Sequence, residues 1–370
     1  MRVCVSVSND VFSDNRVKKT CQSLGNYGFE VHLLCKKAKD KTQENNFIRH
    51  DTAFLFKKNF LYYAELNIKF FCKALWQKSN LLWANDLDTL LPMFLVSRIK
   101  GIPLIFDSHE MFTEVAELKD GSIQKKFWKF LEKLIVPKLK YITTVCNPIK
   151  DYFKDNYGVE SSIIKNIPPY SEANQSRKHY PLQEKYIVWQ GSVNIDRSLE
   201  ELVLAMKEID CPLYILGKGD IVHNLEKMIK EQGLENKVLM LGRKSFEEMM
   251  TITRNATLGI SLDKPTNRNY AISLPNKIFE YINAGTPVLA TPLQEIKPII
   301  ETYKTGVLME DCKPTKENIA LKINEIINNN ILLQSLSDNC LKAQKELSWQ
   351  NEEKVLYALL DKILNKERKN

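Results

Sequence analysis

The stretch YIVWQGSVNIDRSLEELVLAMKEIDCPLYIL, residues 186–216, contains the structural unit from which we predict the fold of the chain. It begins with a β-rich run at 186–190, continues through a polar glycine loop into a helical stretch at 197–209, and ends with a second β-rich run at 212–216. A strand, a helix and a second strand in this order are typical of a βαβ unit, in which the two strands run parallel. The stretch therefore predicts an α/β protein.

The same alternation extends along the chain in two blocks, with strands and helices taking turns in each. In the first block we predict strands at 2–8, 30–35, 81–84, 103–107, 141–145 and 162–165, with helices at 16–26, 87–100, 123–139 and 148–157. In the second block we predict strands at 186–190, 212–216, 237–241, 257–262, 287–290 and 306–309, with helices at 197–209, 221–232, 245–254, 276–284, 293–302, 315–328, 331–346 and 349–366.

Between the blocks, the polar stretch 166–185 contains three prolines and breaks the periodicity, which indicates an interdomain linker. We predict two doubly wound, Rossmann-like parallel-sheet domains that face each other across a cleft, where ligands of such folds bind. The predicted domains are 1–168 and 186–348, with a linker at 169–185 and a final helix in 349–370.

The composition is consistent with a folded α/β protein and excludes several protein classes. The chain has 370 residues, of which 44% are hydrophobic and 26% charged, so it is neither disordered nor collagen-like. Eight cysteines without a C-x-x-C pair, together with only five histidines, argue against a zinc site, and we predict no metal. The N-terminal sequence lacks the pattern of a signal peptide and no apolar run would span a bilayer, so we expect a cytoplasmic protein.

The segment Ser273–Val288, SLPNKIFEYINAGTPV, has the strongest features of a ligand-binding site. Asn276 is the predicted N-cap of a helix that ends before Gly285, and a helix N-terminus beside Lys277 would attract phosphate. Glu280 lies on the same helix face and has the acceptor oxygens needed to bind ribose hydroxyls. A capped surface helix with an ion pair between Lys277 and Glu280 is the alternative interpretation.

Three glycine loops follow strands of the second block and carry cations. Gly191 is followed by Arg197, Gly217 precedes a lysine, and Gly242 precedes Arg243. Glycine permits a close backbone approach to a ligand, and an arginine offers a two-pronged phosphate contact. Together with Lys277 these loops predict an anion pocket, while a simple βα turn with an exposed Arg197 remains the alternative for the first loop.

In the first block, polar residues follow two strands and one loop. Asp107-Ser108-His109-Glu110 comes directly after the strand at 103–107, where side chains at the carboxyl end point toward a ligand site. The loop after the first strand contains Asp14 and Arg16, and Asp86 follows the strand at 81–84. For His109 and Glu110 a turn with a helix cap is the alternative. Asp86 and Asp88 spell a D-x-D pattern, but a helix start explains them better than a metal site.

Together these segments resemble glycosyltransferases of family 4, which have the GT-B fold. The resemblance covers nearly the whole chain: the D-x-R-V of residues 14–17, the A-N-D of 84–86, the D-S-H-E of 107–110, the glycine loops, and the specific pattern L-P-N-K-x-F-E-Y at 274–281. It also includes a final helix from Trp349 that returns to the first domain. It implies transfer of a sugar, with retention, from a nucleotide donor held by the second domain to an acceptor held by the first.

The resemblance also implies roles for individual residues. Arg197 and Lys277 would neutralise the diphosphate leaving group, Glu280 would hold the ribose, and His109 would face the donor sugar. Backbone groups of the donor site would come from Gly191, Gly217, Ser273, Leu274, Pro275 and Asn276, with Gly242 and Arg243 bordering the base. The acceptor side would include Asp14, Arg16, Asp86 and Glu110.

Because fixed cations and amide dipoles stabilise a departing diphosphate, the resemblance implies a metal-independent transferase without a cofactor. A UDP-sugar is favoured over a GDP-sugar as donor, and a cell-surface glycan or lipid-linked molecule is the expected acceptor.

Two positions depart from the family pattern, and they give some support to a non-catalytic alternative. Ile272 stands where the family has a glutamate, and Ser192 where it often has an arginine. A sugar-nucleotide epimerase on the same fold, and a catalytically degenerate scaffold subunit, are the alternative hypotheses.

The charge distribution suggests a membrane partner for the first block. The whole formal net charge of +8 lies in residues 1–170, which contain 26 Lys and Arg against 18 Asp and Glu. Lys57–Trp76 and Lys125–Lys140 combine lysines with aromatic residues, a pattern typical of helices on an anionic membrane surface. Core-facing helices with solvated lysines are the alternative. No nucleic-acid-binding module is recognisable, so we predict no nucleic-acid partner.

Overall fold

The computed structural model of the chain describes residues 1–9, 11, 14–37, 47–56, 59–115, 118–172, 178, 180, 182 and 184–367. The chain divides into two compact units. The N-terminal unit comprises Met1–Asn166 and Glu352–Asn370, and the C-terminal unit comprises Ile167–Asn351.

In the described part of the N-terminal unit, seven parallel strands form one sheet with helices between them. The strands are β1 (Arg2–Ser6), β2 (Glu30–Lys36), β3 (Ile48–Thr52), β4 (Leu81–Asn85), β5 (Leu104–Ser108), β6 (Tyr141–Thr144) and β7 (Ser161–Ile163), in the spatial order β3-β2-β1-β4-β5-β6-β7. The helices are α1 (Asn15–Asn26), α2 (Asn59–Trp76), α3 (Leu87–Lys100), α4 (Ile123–Ile135) and α5 (Asn147–Tyr157).

Residues of the central strands β1, β4 and β5 are almost all buried, because helices cover a parallel sheet on both faces. This explains why the strands read as continuous apolar runs in the sequence. The carboxyl ends of the three strands lie side by side, since β4 pairs with both β1 and β5. Asn85, Asp107 and Ser108 are buried there, although they are polar.

The C-terminal unit repeats this architecture with six parallel strands among its described residues. They are β8 (Ile187–Ser192), β9 (Leu213–Lys218), β10 (Val238–Gly242), β11 (Leu258–Ser261), β12 (Val288–Ala290) and β13 (Gly306–Leu308), in the spatial order β10-β9-β8-β11-β12-β13. The helices are α6 (Leu199–Ala205), α7 (Val222–Glu231), α8 (Phe246–Asn255), α9 (Arg268–Ala271), α10 (Asn276–Asn283), α11 (Lys297–Tyr303), α12 (Lys316–Ile327) and α13 (Asn330–Ala343). The two sheets confirm the predicted α/β fold class.

Helix α10 is fixed to the sheet of the C-terminal unit by Tyr281. The Tyr281 hydroxyl contacts the carbonyl oxygens of Ile260 (3.1 Å) and Val188 (3.4 Å), and its ring lies against Gly259. A Cβ atom on Gly259 would come within 2.6 Å of that ring, so only glycine permits this packing. As a result α10 holds a defined position, with its N-terminal turn beside the carboxyl ends of β8 and β11.

The last helix, α14 (Trp349–Glu367), contributes its residues from Glu352 onward to the N-terminal unit. Glu352 Oε2 accepts a hydrogen bond from the backbone N–H of Lys165 (2.8 Å), and the ring of Tyr357 lies 5.2 Å from that of Tyr27. These contacts attach helix α14 to the N-terminal unit.

Several local predictions were wrong, each for an identifiable reason. The edge strand β3 was missed because its sequence, IRHDT, is polar and lacks strand alternation. The helix predicted from residue 197 begins at Leu199, because Ser198 before it has a left-handed backbone with φ 51°. The N-cap of α10 is Pro275, whose backbone is extended, so Asn276 is its first helical residue.

The predicted linker at 169–185 lies partly outside the described residues. Within its described part, Lys178 is buried, and its ammonium donates hydrogen bonds to Thr286 Oγ1 (2.7 Å) and the carbonyl oxygen of Ala256 (2.9 Å). This residue is therefore attached to the C-terminal unit. No helix in the described part of the chain is both long and apolar enough to cross a membrane.

Candidate active site

The candidate donor site of the C-terminal unit lies where β8 and β11 end and α10 begins. The two strands pair directly, so the loops that follow them are neighbours. Two hydrogen bonds to Asp196 hold these loops together: the backbone N–H of Lys264 donates to the Asp196 carbonyl oxygen (2.8 Å), and the hydroxyl of Thr266 donates to Asp196 Oδ2 (2.7 Å). The predicted residues Arg197 and Lys277 lie in this region.

Arg197 and Lys277 are brought together by a residue that sequence reasoning missed. Asp263 follows β11 and is fully buried, and its Oδ1 lies 3.1 Å from Arg197 Nη1 and 3.1 Å from Lys277 Nζ. In the alternative interpretation of this segment Lys277 pairs with Glu280, whereas the ion pair of Lys277 in the structure is with Asp263. The signal was available, since Asp263 directly follows the predicted strand at 257–262, and Asp107 likewise lies at the carboxyl end of a predicted strand.

Aromatic rings complete the surroundings of the two cations. The Lys277 ammonium lies 4.7 Å from the centre of the Trp189 ring, and the Arg197 guanidinium lies 4.5 Å from that of Tyr270. Ring faces attract cations, most strongly where water is excluded, and both cationic side chains are largely buried. The arrangement concentrates two positive charges and one negative charge in a small volume.

The electrostatics follow from burial and from these contacts. Burial would raise the pKa of Asp263, but Lys277 and Arg197 outweigh it and hold this pKa below its usual value. Burial lowers the pKa of Lys277, as does the charge of Arg197, and Asp263 opposes both effects. Whether the cationic side chains of this cluster stay charged thus depends on the carboxylate of Asp263.

The loop that carries Arg197 has a strained backbone. Asp196 and Ser198, on either side of it, have φ angles of 66° and 51°, which non-glycine residues rarely adopt. Such conformations persist only where the surroundings impose them, and they concentrate at functional sites. The sequence shows no glycine here, so this feature could not be predicted.

Glu280 is positioned by Gln190, a second residue that sequence reasoning missed. Gln190 is completely buried at the end of β8, and its Nε2 donates to Glu280 Oε2 at 2.5 Å. Its Oε1 accepts a hydrogen bond from Thr253 Oγ1 (2.6 Å), which fixes the orientation of the amide. Glu280 is half-buried and is thus held at the edge of the site.

Glycines at the carboxyl ends of β8 and β9 and just after β9 allow a close approach between these strand ends and the loop that follows β8. A Cβ on Gly217 would lie 1.9 Å from the Gly191 carbonyl oxygen, and one on Gly219 would lie 2.1 Å from that of Val193. Gly191 itself has φ 135°, which favours glycine. Gly217 and Gly219 therefore have a packing role between loops, whatever ligand contacts they make.

The remaining predicted donor-site residues are on the surface of the same unit. Gly242 ends β10 with φ 65°, and Arg243 after it is exposed. Ser273, Leu274 and Pro275 are half-buried ahead of α10, and Asn276 is exposed. At the two departures from the family pattern, Ile272 is buried and Ser192 exposed.

In the N-terminal unit, four charged residues form a network at the carboxyl ends of β4 and β5, in which Arg16 and Asp107 are buried and His109 and Asp86 half-buried. Asp107 accepts two hydrogen bonds from Arg16 (2.7 and 3.0 Å) and one from Thr143 (2.7 Å). His109 Nε2 lies 3.0 Å from Asp107 Oδ2, and its Nδ1 lies 3.2 Å from Asp86 Oδ2. The structure thus brings together Arg16, Asp86 and His109, which the sequence had singled out separately.

Asp14 and Glu110 lie beside this network. Asp14 Oδ1 accepts a hydrogen bond from the backbone N–H of Val17 (3.1 Å), so it caps helix α1 and orients Arg16 in its first turn. Glu110 follows His109 and is half-buried. Asp88 is buried as well, and burial together with the charge of Asp86 raises its pKa to about 7. No group of described residues is arranged to hold a metal ion.

We expect His109 to remain protonated at neutral pH. Burial would lower its pKa, but the carboxylates of Asp86 and Asp107 outweigh burial and raise it well above 6.5. The contribution of this proton to stability should be complete below about pH 6.5 and be lost as the pH rises through the folded-state pKa. The NMR titration of the His109 ring, assigned with the His109→Gln variant, should show a midpoint well above that of free histidine. A midpoint at or below the free value would contradict the network.

Both units match family models of glycosyltransferases. The model described as "Glycosyltransferase Family 4" matches residues 14–169, and the model described as "Glycosyl transferases group 1" matches residues 171–343. Among curated proteins, an uncharacterised glycosyltransferase of Methanocaldococcus jannaschii is 21% identical over 330 residues, which cover 87% of this chain and 86% of that protein. A chitobiosyldiphosphodolichol β-mannosyltransferase of Candida albicans is 22% identical over 265 residues, covering 65% of this chain and 58% of that protein.

Solved structures agree on the fold. Sucrose-phosphate synthase of Thermosynechococcus elongatus superimposes with a TM-score of 0.77 at 15% identity, covering 99% of this chain and 100% of that one. HepE of Anabaena, solved in complex with UDP-glucose, gives a TM-score of 0.70 at 14% identity, covering 98% of this chain and 100% of that one. The matched family models and the GT-B fold of these neighbours show that the chain is a glycosyltransferase of family 4.

Proposed function

We propose that this glycosyltransferase transfers a sugar, with retention at the anomeric carbon, from a nucleoside-diphosphate sugar to a hydroxyl group of a glycan or lipid-linked acceptor. The observation that carries the proposal is the pair of buried cations, Arg197 and Lys277, which share Asp263 at the carboxyl edge of the second sheet. The leaving diphosphate gains negative charge as the glycosidic bond breaks, and fixed cations stabilise that charge without a metal ion.

The remaining roles follow the residues around the cations. Glu280, held by Gln190, has a carboxylate at the edge of the site that suits two ribose hydroxyls. The N-terminal turn of α10 contributes backbone N–H groups beside Lys277, a favourable environment for phosphate. We propose a UDP-sugar rather than a GDP-sugar as donor, which is supported by the neighbour HepE, solved with UDP and UDP-glucose.

We propose that the N-terminal unit binds the acceptor through the network around His109. Asp86 and Glu110 supply carboxylates there, and a carboxylate is a good hydrogen-bond partner for sugar hydroxyls. An O-antigen chain mannosyltransferase of Salmonella typhimurium, 26% identical over 144 residues, supports a role in cell-surface polysaccharide or glycoconjugate assembly.

The experiment that tests the function is donor turnover across a panel. The protein is incubated with UDP- and GDP-sugars, with and without extracts of lipid-linked and free glycans, and diphosphate release and product anomeric configuration are measured. The proposal is supported if UDP is released only when an acceptor is present and if the transferred sugar has the same anomeric configuration in the product as in the donor. Epimerised donor without acceptor would indicate the epimerase alternative, and binding without turnover of any donor would indicate the scaffold.

We also propose that the N-terminal unit contacts an anionic membrane surface through helix α4. Its exposed face combines two lysines with three large apolar residues: Ile123, Lys126, Phe130, Lys133 and Leu134. Such a face suits the headgroup region of an anionic bilayer. The predicted lysines of α2 are less suitable, since Lys69 pairs with Glu65 (2.5 Å) and Lys73 donates to Thr52 (2.7 Å), and Lys57 and Lys58 lie outside the described residues.

We expect the protein to sediment with vesicles that contain anionic lipid, and this binding to weaken as salt is added. The double variant Lys126→Glu/Lys133→Glu should lose binding, because both charges lie on the exposed face of α4. The variant Lys227→Glu is the control, since this exposed lysine lies in the C-terminal unit. Equal binding to neutral and anionic vesicles would contradict the proposal.

A further inference from the structure

Asp263 forms an ion pair with each of the two proposed phosphate-binding cations. Its Oδ1 meets Arg197 and Lys277 at the same distance of 3.1 Å, and its side chain is fully buried. Neither family resemblance nor sequence pattern assigned it a role. A carboxylate at the centre of a site for an anion is unexpected, because it opposes the binding of a diphosphate, and this opposition requires a reason.

The position of Asp263 is fixed by its backbone and by its neighbours. The hydroxyl of Thr291 donates to its carbonyl oxygen (2.7 Å), and the hydroxyl of Ser261 lies 3.5 Å from its Oδ2. Lys264, the next residue, donates its N–H to the Asp196 carbonyl of the loop that carries Arg197. The carboxylate is therefore held rigidly between the two loops and α10, and it defines where both cations lie.

From this geometry, and resting on the proposed function, we propose that Asp263 is a positioning residue. It holds Arg197 and Lys277 side by side, and it keeps the Lys277 ammonium charged while no diphosphate is bound. The donor then meets a site whose cations are already placed and already charged.

Among the groups around Lys277, Asp263 does most to keep its ammonium charged. The groups facing Lys277 are Asp263 from the loop after β11, Arg197 from the loop after β8, the Trp189 ring from β8, and Glu280 on its own helix. Burial and Arg197 both lower the pKa of Lys277, and Asp263 is the larger of the two carboxylate effects that raise it. Glu280 is engaged with Gln190.

Replacing Asp263 by asparagine should therefore change the proton balance of ligand binding. On this proposal Lys277 of the wild-type protein already carries its proton, so we expect the diphosphate to bind without adding one there. In Asp263→Asn, burial and Arg197 still lower the pKa of Lys277 while the main opposing carboxylate is gone, so we expect its amine to gain a proton from the buffer when the diphosphate binds. One added proton makes the affinity fall by up to about tenfold per pH unit on the alkaline side.

The test is calorimetric titration of the full chain with UDP, and in parallel with GDP, in two buffers of different ionisation enthalpy near pH 8. We expect Asp263→Asn to take up more protons per nucleotide than the wild type, approaching one additional proton. The double variant Asp263→Asn/Lys277→Arg should lose this additional uptake, because arginine does not release its proton. The control Glu201→Gln, which breaks the neighbouring ion pair with Lys264, should behave like the wild type.

Equal proton uptake by Asp263→Asn and the wild type, with UDP still bound, would overturn the proposal. A structural role alone would weaken binding without this proton signature. If Asp263→Asn does not fold, the wild type is compared with Lys277→Arg. The proposal expects these two proteins to take up the same number of protons per nucleotide. Proton uptake that the wild type shows and Lys277→Arg lacks would refute the proposal. If neither nucleotide binds the wild type, the proposed donor fails, and the role of Asp263 fails with it.

Discussion

The variant Lys277→Ala should lose most of the transferase activity while it remains folded. Removing one group that stabilises charge in a transition state typically lowers kcat by about 10²–10³-fold. Lys277 is buried beside Arg197, where water does not replace its charge, so we expect a loss of this size. The measurement is kcat and KM for the donor, together with the thermal midpoint of unfolding.

Two further variants separate the charge of Lys277 from its shape. Lys277→Arg keeps the charge but not the compact ammonium, so part of the activity should return. Lys264→Ala removes a neighbouring lysine that pairs with Glu201 at the surface (2.6 Å), and its activity should match the wild type. The fold should survive in Lys277→Ala, since Asp263 retains Arg197 as its partner. A Lys277→Ala enzyme with undiminished kcat would contradict the assignment of the phosphate site.

The fold could be predicted from sequence because the central strands are buried on both faces. Runs such as 81–84 and 103–106 are continuously apolar for that reason. The helices between the strands are recognisable by the helical spacing of their apolar residues. The edge strand β3 lacks this constraint, since only one of its sides has a neighbour, and its polar sequence did not reveal it. Burial, and hence predictability, decreases from the centre of a sheet to its edge.

The candidate site was predictable where the chain places functional residues close together in sequence. Lys277 and Glu280 share one helix, and Asp107 and His109 share one strand end, so each pair could be located from its segment. The partners that fix them come from distant segments: Asp263 for Lys277, Gln190 for Glu280, and Arg16 for Asp107. The sequence marks Arg16 as a candidate site residue, but its pairing with Asp107 depends on the tertiary structure, which no local pattern encodes.

The variant Asp107→Asn should strongly destabilise the N-terminal unit. Asp107 is fully buried and Arg16 nearly so, and the two are joined by two hydrogen bonds of 2.7 and 3.0 Å. Asparagine would leave the permanently charged Arg16 buried without its counter-ion, which typically costs about 3–5 kcal/mol. Hydrogen exchange of the amides of β5 and β6, measured by mass spectrometry, should show a correspondingly faster opening of the sheet.

The pH dependence of this effect has a definite sign. Burial would raise the pKa of Asp107, but Arg16 and His109 outweigh burial and hold it well below its usual range. The stabilising contribution is therefore present above the unfolded pKa of about 3.9 and is lost as the pH falls through the folded pKa. The stability difference between wild type and variant should stay constant from neutral pH to about pH 5 and decrease in stronger acid.

The control Arg2→Gln breaks an exposed ion pair with Glu30 in the same sheet and should leave exchange nearly unchanged, since water replaces that contact. If Asp107→Asn exchanges as slowly as Arg2→Gln, the network around Arg16 does not hold the strand ends together.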